Sequence, residues 1–279
     1  MDKIINEVTN VNSECHFANG NKAVCVPTTI VDKMVDFVKK KGIVVEHKEP
    51  VHVVKKMKEL LDCRSESCII KHPDFIEFSK ITQLEDLLDR YFKPTGPATH
   101  FGLLSNFNID DVLSQLVKRF PERKFLHINY QMRDFEKVGT MLATVDLADA
   151  FKSHDTFGCI LNTDYSTGRG LHWFCLFGEK ANGHISLEYF NSSGKCPLPE
   201  IEAWLQKTKH HLTKQLTIPV EIKYNTGIQY QRDDHSCGVY SIMYIYSRLA
   251  GAQNNEITPE KFNDDLAHKA RKFIFRIEI

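Results

Sequence analysis

The stretch "QRDDHSCGVYSIMYIYSRL", Gln231 to Leu249, sets a cysteine directly before a glycine and then repeats apolar residues at helical spacing. Val239, Ile242, Tyr246 and Leu249 share one stripe, so a helix begins at or just after Cys237. A sulfur placed there lies among unpaired backbone N–H groups at the positive end of the helix dipole, and both favour the thiolate. Gly238 lets another backbone or a substrate come close. Upstream, Gln231 can turn its amide N–H toward a carbonyl under attack by Cys237 and complete an oxyanion hole with the cysteine's own N–H.

Such a nucleophile needs a histidine. The segment "LHWFCLFGEKANGHISLEYFN", Leu171 to Asn191, reads as two strands joined by a link containing Asn182-Gly183, a strong hairpin signal. If Lys180 to Gly183 form a four-residue loop, His172 faces Asn191; if Asn182 and Gly183 are the two central turn residues, His172 faces Ser193. Either register brings the end of the second strand beside the start of the first, close enough for the Asn191 side-chain oxygen to orient the imidazole. Glu188 is the charged rival, but it lies an odd number of positions from Asn191 and points to the opposite face. An asparagine fixes the tautomer and ring orientation without stabilising imidazolium, which suits a thiol more than a hydroxyl. The competing reading of a cysteine in an apolar run is core packing, and Cys159 and Cys175, inside apolar strands, fit that reading.

The rest of the chain sets bounds. Its 279 residues suffice for one large domain, or one of usual size with an appendage. Thirty-six basic and thirty-six acidic residues cancel, so no chain-wide field draws it onto nucleic acid or an anionic membrane. No apolar run approaches a bilayer span, and "MDKIINEVTN" lacks the apolar core of an export signal. The eight cysteines are therefore expected to be reduced thiols. Cys63 and Cys68, and Cys15 beside His16, lack the spacing of a structural zinc site, and no metal is expected.

Helices are predicted from about Pro27 to Lys41 and from Val51 to Leu61, with their lysines on solvated faces. "FKPTGPATHFG", Phe92 to Gly102, carries two prolines and two glycines and marks a domain boundary, giving a helical arm over residues 1–95 and a core over 96–279. The core opens with a helix in "SNFNIDDVLSQLVKRF" and changes beyond Asp155 to strands in "TFGCILN", "LHWFCLFGE" and "HISLEYFN". A helix over "IEAWLQKTKHHLTKQL", a strand over "IPVEIKYN" and the helix after Cys237 follow. This is an α+β pattern, without the βαβ alternation of a doubly wound fold.

Three ordered motifs, "LHWFCLF", "ISLEYFNSSG" and "QRDDHSCGVYS", resemble the SUMO-protease and adenain class of cysteine proteases, with its His-Trp, downstream Asp or Asn, and Gln-x5-Cys-Gly. "DCRSESCIIKHP", "GPATHFGLLSNFNID" and "TFGCILNTDYSTGRGLHW" extend the similarity over most of the chain, toward the polyprotein-processing branch of the African swine fever virus type. The resemblance implies a papain-like core with a mixed sheet flanked by helices, His172 as general base, Asn191 as its orienting partner, Cys237 as nucleophile and Gln231 as oxyanion donor. It implies that Trp173 helps form a narrow tunnel admitting only glycine, and that the groove segment Leu103 to Asp110, with Asn106, meets substrate beside Gly238. Gly102-Leu103 replaces the Trp-Leu of the family there, which weakens any transfer of SUMO-surface contacts. The implied substrate is a viral structural polyprotein cut after Gly-Gly during virion maturation, in host cytoplasm and virion. The alternative is a host SUMO or ubiquitin conjugate. Adenoviral relatives use a peptide and DNA as cofactors, but the neutral net charge gives no reason to carry either over, and no cofactor is expected.

Overall fold

A computed structural model describes residues 1–10, 14–19, 22–45, 49–99 and 101–276. Its centre is a five-stranded mixed sheet in sequential order. The strands are β1 (Phe125–Met132), β2 (Thr156–Asn162), β3 (Trp173–Ala181), β4 (His184–Phe190) and β5 (Val220–Tyr224). The outer pairs are parallel, and β2, β3 and β4 are antiparallel. The hairpin between β3 and β4 takes the tighter of the two expected registers. Asn182 and Gly183 both adopt positive φ, 51° and 76°, as a two-residue turn requires, and Ala181 pairs with His184. The first strand, "FLHINYQM", escapes a reading by pattern, because His127, Asn129 and Gln131 interrupt its apolar residues at the edge of the sheet.

A hydrophobic cluster of its own draws all its buried members from residues between Cys15 and Phe92. Its helices include α2 (Thr28–Lys40) and α3 (Pro50–Leu61), close to the predicted spans, followed by the shorter α4 (Glu66–Lys71), α5 (Pro73–Ser79) and α6 (Leu84–Tyr91). The first helix α1 (Asp2–Asn10) does not join this cluster; Ile4 and Val8 pack into the core beside the sheet. The connection at 93–95 is tied to that core through α7 (Asn106–Arg119). Asn108 Nδ2 donates to the Thr95 carbonyl at 3.0 Å, and Gln115 Nε2 donates to the Phe92 carbonyl at 2.9 Å.

Helices cover both faces of the sheet. The helix α7, the helix α12 (Cys237–Leu249) and the last helix α13 (Asp264–Ile274) join Ile160, Cys175, Phe177 and Phe190 in one core. On the opposite face α11 (Pro199–Leu216) lays Ile201, Trp204, Leu205 and Leu212 over Cys159, Phe174 and Leu176. Three one-turn helices, α8 (Phe135–Val138), α9 (Met141–Thr144) and α10 (Leu147–Ala150), carry the chain from β1 to β2. Every residue of α12 is buried, so the helix that starts at Cys237 is a central element rather than a surface one.

Four of the eight cysteines are disulfide-bonded, Cys15 to Cys25 and Cys63 to Cys68, against the expectation of free thiols throughout. That expectation comes from the N-terminal residues, which say nothing about pair geometry. Here Cα separations of 4.8 and 5.6 Å bring each pair within bonding reach. Cys159, Cys175, Cys196 and Cys237 remain free.

The hairpin and α12 are joined by charge. Arg248 Nε and Nη2 donate to Glu188 Oε2 and Oε1 at 2.8 and 3.0 Å, with side-chain exposures of 3% and 0%. Nη2 also donates to Glu179 at 2.7 Å, Arg123 pairs with the other Glu179 oxygen, and Tyr244 OH donates to Glu188 at 2.8 Å. Removing one partner of a buried pair strands the other charge, at a cost of about 3–5 kcal/mol. Arg248→Met is expected to lower stability by about that amount in urea unfolding, and the double change Arg248→Met, Glu188→Leu to recover most of it. A single-variant loss below about 1 kcal/mol would remove this pair from the account of the fold.

Candidate active site

The β3–β4 hairpin and the start of α12 bring the predicted residues to one end of the sheet. His172 precedes β3, and its carbonyl accepts from Thr163 N at 2.9 Å. Asn162, buried, accepts from Leu171 N at 2.9 Å and so holds the chain just before the histidine. His172 Nε2 lies 2.8 Å from Asn191 Oδ1. That oxygen also accepts from Ser193 N and Oγ at 3.0 and 2.8 Å, while Nδ2 donates to Tyr189 OH at 3.0 Å. The Ser193 amide requires an acceptor and the tyrosine oxygen takes a donor, so the asparagine amide has one orientation. Nε2 therefore carries the proton, and the Nδ1 lone pair is left for the thiol.

The backbone N–H groups of Trp173, Gly238 and Cys237 itself lie around the sulfur and act to lower its pKa. The reason these helical amides are unpaired lies one residue upstream. Ser236, the residue before the helix, sends its hydroxyl to Asp233 Oδ2 at 2.7 Å and makes no capping bond to the first turn. The first amides of α12 are left to the sulfur. Cys237 is nevertheless only 5% exposed, and burial pushes its thiol above the ordinary value despite these donors. Burial likewise lowers the His172 pKa, with the Asn191 hydrogen bond opposing it. The helix terminus alone would favour a thiolate. Desolvation raises the thiol pKa and lowers that of the imidazole, so burial acts against the thiolate and imidazolium that the helix terminus favours.

A groove of about 690 Å³ runs past the sulfur, lined by Cys237, Trp173, Asn106, Tyr130, Leu103 and Leu171 among others. Trp173 forms one wall, its Nε1 donating to the Leu104 carbonyl at 3.1 Å and its ring edge-on to Tyr130. Gly238 lies outside the groove lining: a Cβ there would meet Leu104 at 3.0–3.2 Å, so the close approach it permits is that of Leu104. Gln231 is buried; Oε1 accepts from Ser192 Oγ at 2.7 Å, and Nε2 rests on the Asp233 carbonyl and Oδ1, both at 3.0 Å. The amide expected to face an oxyanion is thus held by Asp233. Sequence reasoning assigns Asp233 no role, since none of its bonds follows from spacing. Glu188 points away and pairs with Arg248.

A cysteine at the mouth of a buried helix, with an amide-tethered histidine from the adjoining strand, is the arrangement of a cysteine peptidase. Comparison with known proteins narrows the class. Residues 106–274 match the sequence profile of the Ulp1 protease family, C-terminal catalytic domain, and the chain belongs to that family. It is 32% identical to a cysteine protease of African swine fever virus, an alignment covering 98% of this chain and 99% of that one. A putative thiol protease of Acanthamoeba polyphaga mimivirus is 26% identical over 77% of this chain and 70% of its own. The crystal structure of an African swine fever virus protease superposes with a TM-score of 0.80 at 31% identity, covering 96% and 97% of the two chains. The protein is a cysteine protease, a hydrolase, with the Ulp1-like fold and a helical region before its catalytic domain.

The neutral resting pair has a pH signature. Protonating His172 removes the base, so kcat/KM is expected to fall on the acid side with a midpoint below the ordinary imidazole value of 6.5. Alkylation of Cys237 by iodoacetamide, followed by peptide mass spectrometry, is expected to keep accelerating above pH 9, its ordinary thiol value. A plateau reached near neutral pH would mean a preformed thiolate.

Proposed function

We propose that the protein is an endopeptidase of a large DNA virus that cuts structural polyproteins after Gly-Gly during virion maturation, in the host cytoplasm and in the virion. The observation that carries the chemistry is the 2.8 Å contact of His172 Nε2 with Asn191 Oδ1, which leaves Nδ1 free to serve the Cys237 thiol. His172 takes the thiol proton as the sulfur attacks the glycyl carbonyl. The backbone N–H of Cys237 stabilises the oxyanion, joined by the side chain of Gln231 once its amide turns away from Asp233. On collapse the C–N bond breaks, and His172 returns the proton to the departing amine. Water, deprotonated by His172, then cleaves the thioester, freeing the carboxylate and restoring the thiol.

The reading of a glycine-rich substrate draws its support from Trp173, which lines the groove together with Cys237. Residues 1–95 serve as a buttress for the core, a reading supported by the contacts of the 93–95 connection with α7. A ubiquitin-like conjugate is the second reading, favoured by the name "SUMO-1 cysteine protease" that relatives from African swine fever virus carry.

Cleavage of a Gly-Gly-X peptide is expected to fall by about 10²–10⁴-fold or more in Cys237→Ala and His172→Ala, with the fold intact by circular dichroism. Asn191→Ala is expected to cost less, and Gln231→Ala about 10²–10³-fold in kcat. Undiminished activity in Cys237→Ala ends the scheme. Faster turnover of a SUMO or ubiquitin fluorogenic conjugate than of the peptide would transfer the assignment to the second reading.

A further inference from the structure

The loop between Gln231 and Cys237 carries more chemistry than peptide cleavage uses. Asp233 Oδ1 accepts from the backbone N–H groups of His235 and Ser236 at 3.1 and 2.9 Å. Its Oδ2 faces two imidazoles, His268 Nε2 from α13 at 2.9 Å and His235 Nε2 at 3.4 Å. The rings stack 10° from parallel with centroids 5.5 Å apart, and Phe101 stands edge-on to both.

His235 lies between two carboxylates. Its Nδ1 stands 3.1 Å from Asp234 Oδ1. Nε2 is buried and makes no hydrogen bond, with Asp233 Oδ2 at 3.4 Å. A cation between these two atoms would give both a partner, with His235 as the neutral tautomer bearing its proton on Nδ1. The three ligand atoms all lie within 4.8 Å of one another. In a tetrahedral zinc site with bonds of about 2.0–2.1 Å, neighbouring ligand atoms sit about 3.3–3.4 Å apart. The His235–Asp233 separation of 3.4 Å meets that spacing, and the His268–Asp233 contact of 2.9 Å needs to open by only about half an ångström once metal replaces the shared proton.

The donor types select the cation. Two imidazoles and one carboxylate suit zinc and its first-row neighbours, whereas magnesium and calcium seek oxygen. The carboxylate is ionised: burial pushes its pKa up, but hydrogen bonds from Ser236, His268 and the His235 amide outweigh this and hold it well below the usual range. Arg271, bonded to the His235 and Gly102 carbonyls at 2.8 and 2.7 Å, balances part of that charge and is the one cationic side chain bonded to this loop's backbone among the described residues.

We propose that Asp233, His235 and His268 bind a zinc-type divalent cation, with a fourth position left for water, and that this cation clamps the loop carrying Gln231 and Cys237 to α13. Asp233 links the two sites, since the carboxylate that would hold the cation through one oxygen holds Gln231 through the other. Spacing along the chain gives no warning of it, because the third ligand comes from a distant helix.

The test uses tag-free full-length protein alkylated with iodoacetamide, so that Cys237 and the exposed Cys196 cannot act as ligands. Calorimetric titration with Zn²⁺ is expected to show about one equivalent bound, together with a rise in the thermal unfolding midpoint. His268→Gln and His235→Gln are each expected to weaken binding by at least about 10-fold, while His210→Gln, an exposed histidine on α11, leaves it unchanged. Absence of stoichiometric binding by the alkylated wild type overturns the proposal even if the variants misfold. Binding undiminished in both ligand variants overturns it as well.

Discussion

The bidentate pair between Arg248 and Glu188 is the constraint on which the rest of the structure depends. One partner stands on the helix that supplies the nucleophile and the other on the strand that leads to Asn191. A charge pair this buried tolerates little sliding, because any shift of α12 along the sheet leaves a carboxylate or a guanidinium without water or a partner. The surrounding apolar contacts, such as Phe190 stacked on Tyr244 with centroids 4.3 Å apart, favour contact between helix and hairpin without choosing a register. The ion pair chooses it. The position of the thiol relative to the hairpin is therefore set from about three helical turns away, at the far end of α12.

Much of this was legible in the chain because the decisive elements are strongly patterned. The strands β2, β3 and β4 and the helix after Cys237 follow from periodicity, and Asn182-Gly183 announces its own turn. The pairing of His172 with Asn191 follows from proximity within one hairpin, although the tighter register makes their contact diagonal instead of directly opposed. What stayed hidden depends on contacts between distant segments. The strand β1 is an edge strand with polar residues along it, and α1 leaves its own neighbourhood to pack beside α13; the two disulfides join cysteines only 10 and 5 positions apart, and no pattern in the chain sets those cysteines apart from the free ones.

Asp233 illustrates the same limit inside the site. The five residues between Gln231 and Cys237 carry no periodicity, and only the structure shows a single carboxylate gathering the amides of His235 and Ser236, the Ser236 hydroxyl and the Gln231 amide. By occupying the serine hydroxyl that could have capped α12, Asp233 leaves the first turn without a side-chain cap beside the sulfur. Loop and helix terminus work as one unit, with the aspartate as its organiser.

The uncharged state of the resting thiol reaches beyond peptide cleavage. Peroxide and related oxidants attack thiolates far faster than thiols, and they need access to the sulfur. A cysteine that is both protonated and buried at the head of its own helix offers neither condition. Oxidation of Cys237 to the sulfenic acid is therefore expected to be slow at rest and fastest during turnover, when the proton has moved to His172.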